Sequence, residues 1–286
     1  MQHLKIFIEL TRLNKPIGFM LLFWPCSWGL AYAYSINKNI ELFIYYLILF
    51  FLGSVLMRSA GCIVNDIVDK DFDKKVKRTK SRPIASKKIS IFHSLLYVAL
   101  LCSLAFLILV QFNLLTICLG IGSMIPAFLY PYMKRITYWP QLFLGFTFNW
   151  GIIMAWTASN GYLSYEVVVL YLSAIFWTLG YDTIYGVQDI YDDEIIGLKS
   201  TAIKFKKNIK KFITMTYIIT ISILVYLFKD MMGFNIFTLL LLMFSFTLYY
   251  QILNFKKNKP KRCLELFKFN NISGSILFLA LLSINL

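Results

Sequence analysis

The sequence predicts an all-α integral membrane protein, a bundle of nine transmembrane helices with a cytoplasm-facing active-site cavity. Three observations carry this reading. The chain is 59% hydrophobic and 17% aromatic, with a mean hydropathy of +0.67, which is more apolar surface than a soluble chain of 286 residues can use. Nine apolar stretches approach the roughly 20 residues that a hydrocarbon core demands: 17–36, 40–63, 89–110, 113–131, 141–159, 165–187, 212–228, 233–253 and 267–286. Finally, the basic residues collect on alternate connections. Counted from an inside N-terminus, 27 of the 29 Lys and Arg residues lie on the inner side, leaving only Lys38 and Lys229 outside. That is the positive-inside pattern.

Each element follows in chain order. Before the first span stand Glu9, Arg12 and Lys15, with no cleavage pattern and no long Arg- and Ser-rich presequence; this favours a bacterial inner (cytoplasmic) membrane over an imported organelle protein. The third and fourth spans are divided only by Gln111-Phe112-Asn113. Outer connections such as Ser159-Asn160-Gly161 and Met232-Gly233 are short, whereas inner ones are long and polar, so the chemistry is expected at the inner face. Residues 1–286 read as a single polytopic domain. The net charge of +15 is explained by orientation and does not indicate a nucleic-acid partner. Cys26, Cys62, Cys102, Cys118 and Cys263 are scattered without metal-ligand spacing and read as small buried hydrophobes. His3 and His93 are isolated.

Only 14 residues are acidic, yet two clusters gather many of them where the second and sixth spans emerge. Carboxylates at a bilayer are costly and usually mark an ion or substrate site. In Asn65-Asp66-Ile67-Val68-Asp69-Lys70-Asp71-Phe72-Asp73, the residues Asp66, Asp69 and Asp73 share one face of a continuing helix, and Asp71 falls off it. Aligned carboxylates repel unless a cation lies among them, and Mg²⁺ suits one or two carboxylates plus substrate phosphate oxygens. Asn65 adds an amide oxygen. In the second cluster Asp189 and Asp193 are four apart, Asp182 precedes Asp189 by two turns on the same face, and Asp192 stands instead of Asp193 or beside it. No His or Cys joins either set, which argues against zinc. Asp66-Ile67-Val68-Asp69 also echoes Asp189-Ile190-Tyr191-Asp192.

Cations accompany both clusters: Arg12 and Lys15 near the first span, Arg58 two turns before Asp66, then Lys77, Arg78, Lys80 and Arg82, then Lys134 and Arg135, then Lys199 and Lys204. Arg grips phosphate in a bidentate fork and Lys acts as a point charge. Metal-type carboxylates and phosphate-type cations on one membrane face, in a chain otherwise built for lipid, suit a polyprenyl diphosphate.

At these residues the chain resembles the UbiA superfamily of intramembrane prenyltransferases. Asn65, Asp66, Asp69 and Asp73 match that family's NDxxDxxxD pattern, and Asp189 and Asp193 match its DxxxD pattern. Arg12-Leu13-Asn14-Lys15-Pro16-Ile17-Gly18, Met57-Arg58-Ser59-Ala60-Gly61-Cys62, Tyr130-Pro131-Tyr132-Met133-Lys134-Arg135, Tyr181-Asp182-Thr183 and Lys199-Ser200-Thr201 resemble the branch that prenylates 4-hydroxybenzoate. The likeness runs from about residue 10 to 205; the last three spans resemble the family only in being apolar. It implies Mg²⁺ dependence and ubiquinone biosynthesis, with a polyprenyl group transferred to the ring carbon ortho to the phenol. On that basis Asn65, Asp66, Asp69, Asp73, Asp189 and Asp193 hold the metal. Arg58, Arg78, Lys134 and Lys199 contact the diphosphate, Arg135 meets the benzoate carboxylate, and Asp189 takes the phenolic proton. Sibling enzymes with a naphthoate- or haem-type acceptor, and a cation transporter, are the competing expectations. Transporter sites lie near the bilayer midplane on broken helices, whereas these acids sit at helix ends.

Overall fold

The computed structural model describes residues 2–76 and 78–285, and the described residues form helices and turns with no strand. A short helix α1 (Gln2–Thr11) precedes the first span, α2 (Ile17–Asn37). Then come α3 (Ile40–Val68), the one-turn α4 (Lys70–Asp73), α5 (Ile91–Leu109), α6 (Leu114–Ile136), α7 (Pro140–Asn160) and α8 (Tyr165–Gly186). After α8 lie two short helices, α9 (Ile190–Ile196) and α10 (Thr201–Lys204), and three further spans, α11 (Ile209–Leu227), α12 (Ile236–Asn254) and α13 (Pro260–Leu282). Nine of these helices, among the described residues, are long and apolar enough to cross a membrane. The protein is a multi-pass membrane protein.

Span starts are written in the sequence as caps. Asn39, Ser90, Asn113, Ser164 and Asn235 each accept the backbone N–H three residues on, which satisfies a donor that lipid could not. Two boundaries differ from expectation. The last span begins at Pro260, not residue 267, because its first two turns carry Lys261, Arg262 and Glu265 and do not look apolar. The fourth continues through Pro131 to Ile136, which brings Lys134 and Arg135 onto a rigid helix.

At the centre, α2 packs on α7, α3 and α13, and α8 packs on α7 and α11. Contact between α2 and α7 needs a residue without a side chain: a Cβ at Gly29 would lie 2.4 Å from the Ile152 carbonyl oxygen. Close backbone approach of this kind is how helices pack tightly without a hydrophobic drive between them. Leu96, Leu100 and Leu107 on α5, and Leu239, Leu242 and Phe246 on α12, face outward, as expected of helices in lipid. The last three spans carry a signal beyond apolarity. The Tyr217 hydroxyl donates to Gln251 Oε1 at 2.8 Å, Asn270 Nδ2 donates to the same oxygen at 3.0 Å, and Trp177 Nε1 donates to Asn270 Oδ1 at 3.0 Å. This buried network joins α8, α11, α12 and α13.

Both acidic clusters fall where a long helix breaks. Helix α3 ends at Val68, and Asp69 (φ −93°, ψ 3°) leads into α4. Helix α8 ends at Gly186, and Asp189 (φ −109°, ψ −2°) leads into α9. The structural equivalence therefore pairs Asp69 with Asp189 and Asp73 with Asp193. The sequence echo, which paired Asp66 with Asp189, is shifted from this by one helical turn.

Candidate active site

A cavity of about 1740 Å³ opens between the two clusters and continues inward. Asn65, Asp66, Asp69, Asp73, Asp182, Asp189 and Asp193 all line it, as do Arg12, Arg58, Arg78, Arg82, Lys134 and Lys199. Further in, the walls are apolar, with Leu22, Phe50, Phe112, Met124 and Met154. From Asp66 to Phe50 along α3 is sixteen residues, a track of roughly 24 Å at helical rise.

Three of the acids are almost wholly buried. Asp69 is 1% exposed, Asp66 2% and Asp73 6%. Mutual repulsion is relieved by cations that the chain itself supplies. Arg12 Nη2 lies 2.5 Å from Asp66 Oδ1, and Arg82 Nη1 bridges Asp66 Oδ1 at 3.0 Å and Asp73 Oδ2 at 2.8 Å. Lys134 Nζ is ion-paired with Asp69 Oδ2, to which Asn65 Nδ2 also donates at 3.1 Å. Asp71 points away, exposed, and pairs with Lys74. Burial pushes Asp73 above the ordinary carboxylate range despite Arg82.

The second cluster is tied to the first. Arg78 forks onto Asp189, with Nε at 2.9 Å from Oδ1 and Nη2 at 2.7 Å from Oδ2. Burial, and next the negative charge of Asp189, push Asp193 up to about 7. Lys134, paired with Asp69, also lies within electrostatic range of Asp193. The clusters thus meet across one cavity.

Local structure explains these placements. The loop after α4 folds back through turns such as Thr79 N–H to Val76 O and Arg82 N–H to Thr79 O, with Thr79 Oγ1 donating to Asp73 O at 3.1 Å. Val76, Ile84 and Ala85 are buried beneath it, so the loop is a lid seated on apolar anchors that aims Arg78 and Arg82 inward. Arg12 has φ +56°, a strained conformation for a residue with a side chain and one that recurs at functional sites. Lys199 is held at the rim by its Nζ donating to Ile136 O at 3.0 Å and its N–H to Lys134 O at 2.8 Å.

Two arginines expected at the site are placed differently from the other cations. Arg135 is not part of the cavity wall. Its Nη2 donates to Val68 O at 2.8 Å, its guanidinium lies 4.9 Å from the Phe72 ring centroid, and it stands 3.5 Å from Asp69. These contacts let Arg135 brace the α3–α4 junction from outside the cavity wall, with its buried Nε left unpartnered. Arg58 lies two turns in from Asp66, stacked 5.4 Å from the Phe148 centroid, with no ion pair among the described residues and with its buried Nε unpartnered. Gly18 makes room for it, since a Cβ there would sit 3.0 Å from Arg58 Nε. Arg12, Arg82 and Asp182 were not assigned roles from the sequence. The usable signals were the spacing of Asp182 from Asp189, the family-like segments that hold Arg12 and Asp182, and, for Arg82, an arginine in a lysine-rich segment.

No three Asp, Glu, His or Cys side chains among the described residues form a ready metal cage. The donors are oxygens throughout, in pairs held by removable cations. That suits a hard ion which takes one or two carboxylates and completes its shell with phosphate oxygens and water.

A model of the UbiA prenyltransferase family matches residues 22–273. The Bos taurus protein named 4-hydroxybenzoate polyprenyltransferase, mitochondrial, is 42% identical over 289 residues, spanning 99% of this chain and 76% of its own length. The Homo sapiens protein of that name is 47% identical over 212 residues, which is 74% of this chain and 57% of the human one. The chain thus spans three quarters of the bovine relative and a little over half of the human one. A UbiA homolog from Aeropyrum pernix K1, in its apo structure, shares the fold with a TM-score of 0.76 at 21% identity, over 91% of this chain and 96% of that one. One from Archaeoglobus fulgidus, bound to GPP and Mg²⁺, gives 0.68 at 16%, over 98% and 99%. With the family match covering most of the sequence and all nine spans in place, the chain belongs to the UbiA prenyltransferase family.

Proposed function

We propose that residues 1–286 act as a single polytopic domain that transfers a polyprenyl group from polyprenyl diphosphate to the ring carbon ortho to the phenol of 4-hydroxybenzoate, with Mg²⁺, in ubiquinone biosynthesis. The observation that carries this is one cavity whose mouth holds two acidic clusters and their cations and whose interior is an apolar track into the membrane. A charged diphosphate and a long hydrocarbon tail need those two environments end to end. The curated relatives' names point to the same acceptor, in preference to a naphthoate or haem-type ring.

Asn65, Asp66, Asp69, Asp73, Asp189 and Asp193 fit Mg²⁺, which when bound supplies positive charge against the leaving diphosphate. Arg12, Arg78, Arg82 and Lys134, which neutralise the acids in this structure, would offer their N–H groups to phosphate oxygens once those acids held Mg²⁺, with Lys199 at the rim. Fixed donors aimed at developing charge are the largest usual source of catalysis. Apolar walls keep water from the allylic carbon, which would otherwise yield a prenyl alcohol. Arg58, lacking an acid partner, receives the acceptor carboxylate. The acidic mouth belongs to the basic, inner side of the membrane. The relatives are named mitochondrial, so they lend no support to a bacterial inner membrane; the inner-side orientation is the same in either.

Purified protein incubated with labelled polyprenyl diphosphate, 4-hydroxybenzoate and Mg²⁺ is expected to form the 3-prenyl product and release diphosphate. Ion flux in liposomes without donor consumption would favour transport instead. A pH dependence follows from Asp193. Its raised value means a proton occupies the carboxylate below about pH 7, and a metal must displace it. Mg²⁺ affinity in the presence of a non-reactive diphosphate analogue should therefore be near its plateau at pH 8 and about tenfold weaker at pH 6, an effect that Asp193→Asn removes. Isothermal titration at the two pH values checks this.

A further inference from the structure

We infer that Asp182 takes the phenolic proton of the acceptor, a role that rests on the acceptor reading above. Asp182 lies one turn inside the inner end of α8 and lines the cavity. A carboxylate within a span is expensive and is retained for a purpose. Asp66, Asp69, Asp73 and Asp189 each hold a cation side chain. Asp182, among the described residues, closes no ion pair. Arg58, on α3, is within electrostatic range of Asp182, yet the two do not close a salt bridge, and Arg58 Nε has no partner. Tyr130 and Tyr181 border the same two groups. A cationic donor and a carboxylate acceptor therefore line one cavity within electrostatic range of each other, with Tyr130 and Tyr181 beside them. A flat ring with an anionic group at one end and a hydroxyl at the other supplies what both lack. Asp189, the residue first expected in this role, is paired with Arg78 here and is committed to Mg²⁺ in the reading above.

The step balances. As the donor C–O bond breaks, diphosphate leaves with its electron pair, and the ring carbon ortho to the hydroxyl forms the new C–C bond. The phenolic O–H proton passes to Asp182, leaving a neutral dienone. The hydrogen on the prenylated carbon then departs to a diphosphate oxygen, and Asp182 returns its proton to the ring oxygen. One proton ends on diphosphate, and Asp182 is unchanged.

The test uses the full-length protein in detergent or nanodiscs. Asp182→Asn is expected to lower kcat about 100-fold or more, within the usual range for a positioned base, while KM for 4-hydroxybenzoate and the melting temperature stay close to wild type. Asp182→Glu should recover part of the loss. The wild-type to Asp182→Asn rate ratio should shrink with 3-fluoro-4-hydroxybenzoate, whose phenol gives up its proton more readily; a purely structural defect would leave that ratio alone. A kcat within threefold of wild type, or an undiminished ratio with the fluorinated acceptor, overturns the assignment while the transferase reading stands. If wild type itself transfers no prenyl group to 4-hydroxybenzoate, both fall together.

Discussion

Asp69→Ala is expected to lower prenyl transfer by at least about a thousandfold, with the protein still inserted and folded. A single fixed electrostatic contact in a dry site is typically worth about 10²–10³ in rate, and Asp69 carries more than one. It sits at the hinge between α3 and α4, 1% exposed, where Asn65 and Lys134 both reach it and Arg135 stands beside it. On the proposed reading its removal takes a carboxylate from the Mg²⁺ set, and it strands Lys134, which pairs with Asp69 and lies within electrostatic range of Asp193. Asp189→Ala should match it, because Arg78 loses both carboxylate oxygens and keeps only the Tyr185 hydroxyl at 3.4 Å. The double variant should be little worse than either single one, since groups acting as a unit are not additive. Asp71→Ala is the internal control: two residues away, exposed and paired only with Lys74, it should leave the rate unchanged. Excess EDTA should silence wild type and Mg²⁺ should restore it. Full activity in Asp69→Ala, or in EDTA, would remove the metal clamp from the mechanism.

How much of this was legible beforehand depends on the range of the interaction. Spans are local, each a run of apolar residues ended by a cap such as Asn39 or Asn113, so eight of the nine starts could be read to within a few residues. The start of α13 was missed because charge density in its first two turns masks helix that Pro260 begins. The clusters were legible because helical spacing places Asp66, Asp69 and Asp73 together without knowledge of the fold. Pairings were not. Arg12 reaches Asp66 from 54 residues away through a loop whose key residue has φ +56°, and no spacing rule encodes that. Arg82 bridges two acids because the lid loop turns back on buried Val76 and Ile84. Arg58 and Arg135 illustrate the limit most directly. Arg58's depth along α3 was readable from spacing, but its contact with Phe148, and those of Arg135 with Val68 O and Phe72, are tertiary.

The opposite placement of those two arginines yields the second large effect. Arg58→Ala is expected to raise KM for 4-hydroxybenzoate about 100-fold or more while leaving KM for the polyprenyl diphosphate within about threefold. Removing one member of a desolvated charge pair typically costs about 2–5 kcal/mol, much of it from the partner left unpaired, and the benzoate carboxylate would be that partner in an aromatic-walled recess. Arg58→Lys should recover only part of the affinity, because a point charge on a different stem replaces a planar fork stacked on Phe148. Gly18→Ala should produce a milder rise of the same kind, its Cβ pressing on Arg58 Nε at 3.0 Å. Steady-state kinetics with each substrate varied in turn separates the two possible duties of this residue. A diphosphate contact, the role its sequence position first suggested, would raise the donor KM. A carboxylate anchor two turns deeper than Asp66 raises the acceptor KM alone. Arg135→Ala supplies the contrast: braced against Val68 O and Phe72, it should cost stability and kcat through Asp69, with acceptor KM nearly unmoved.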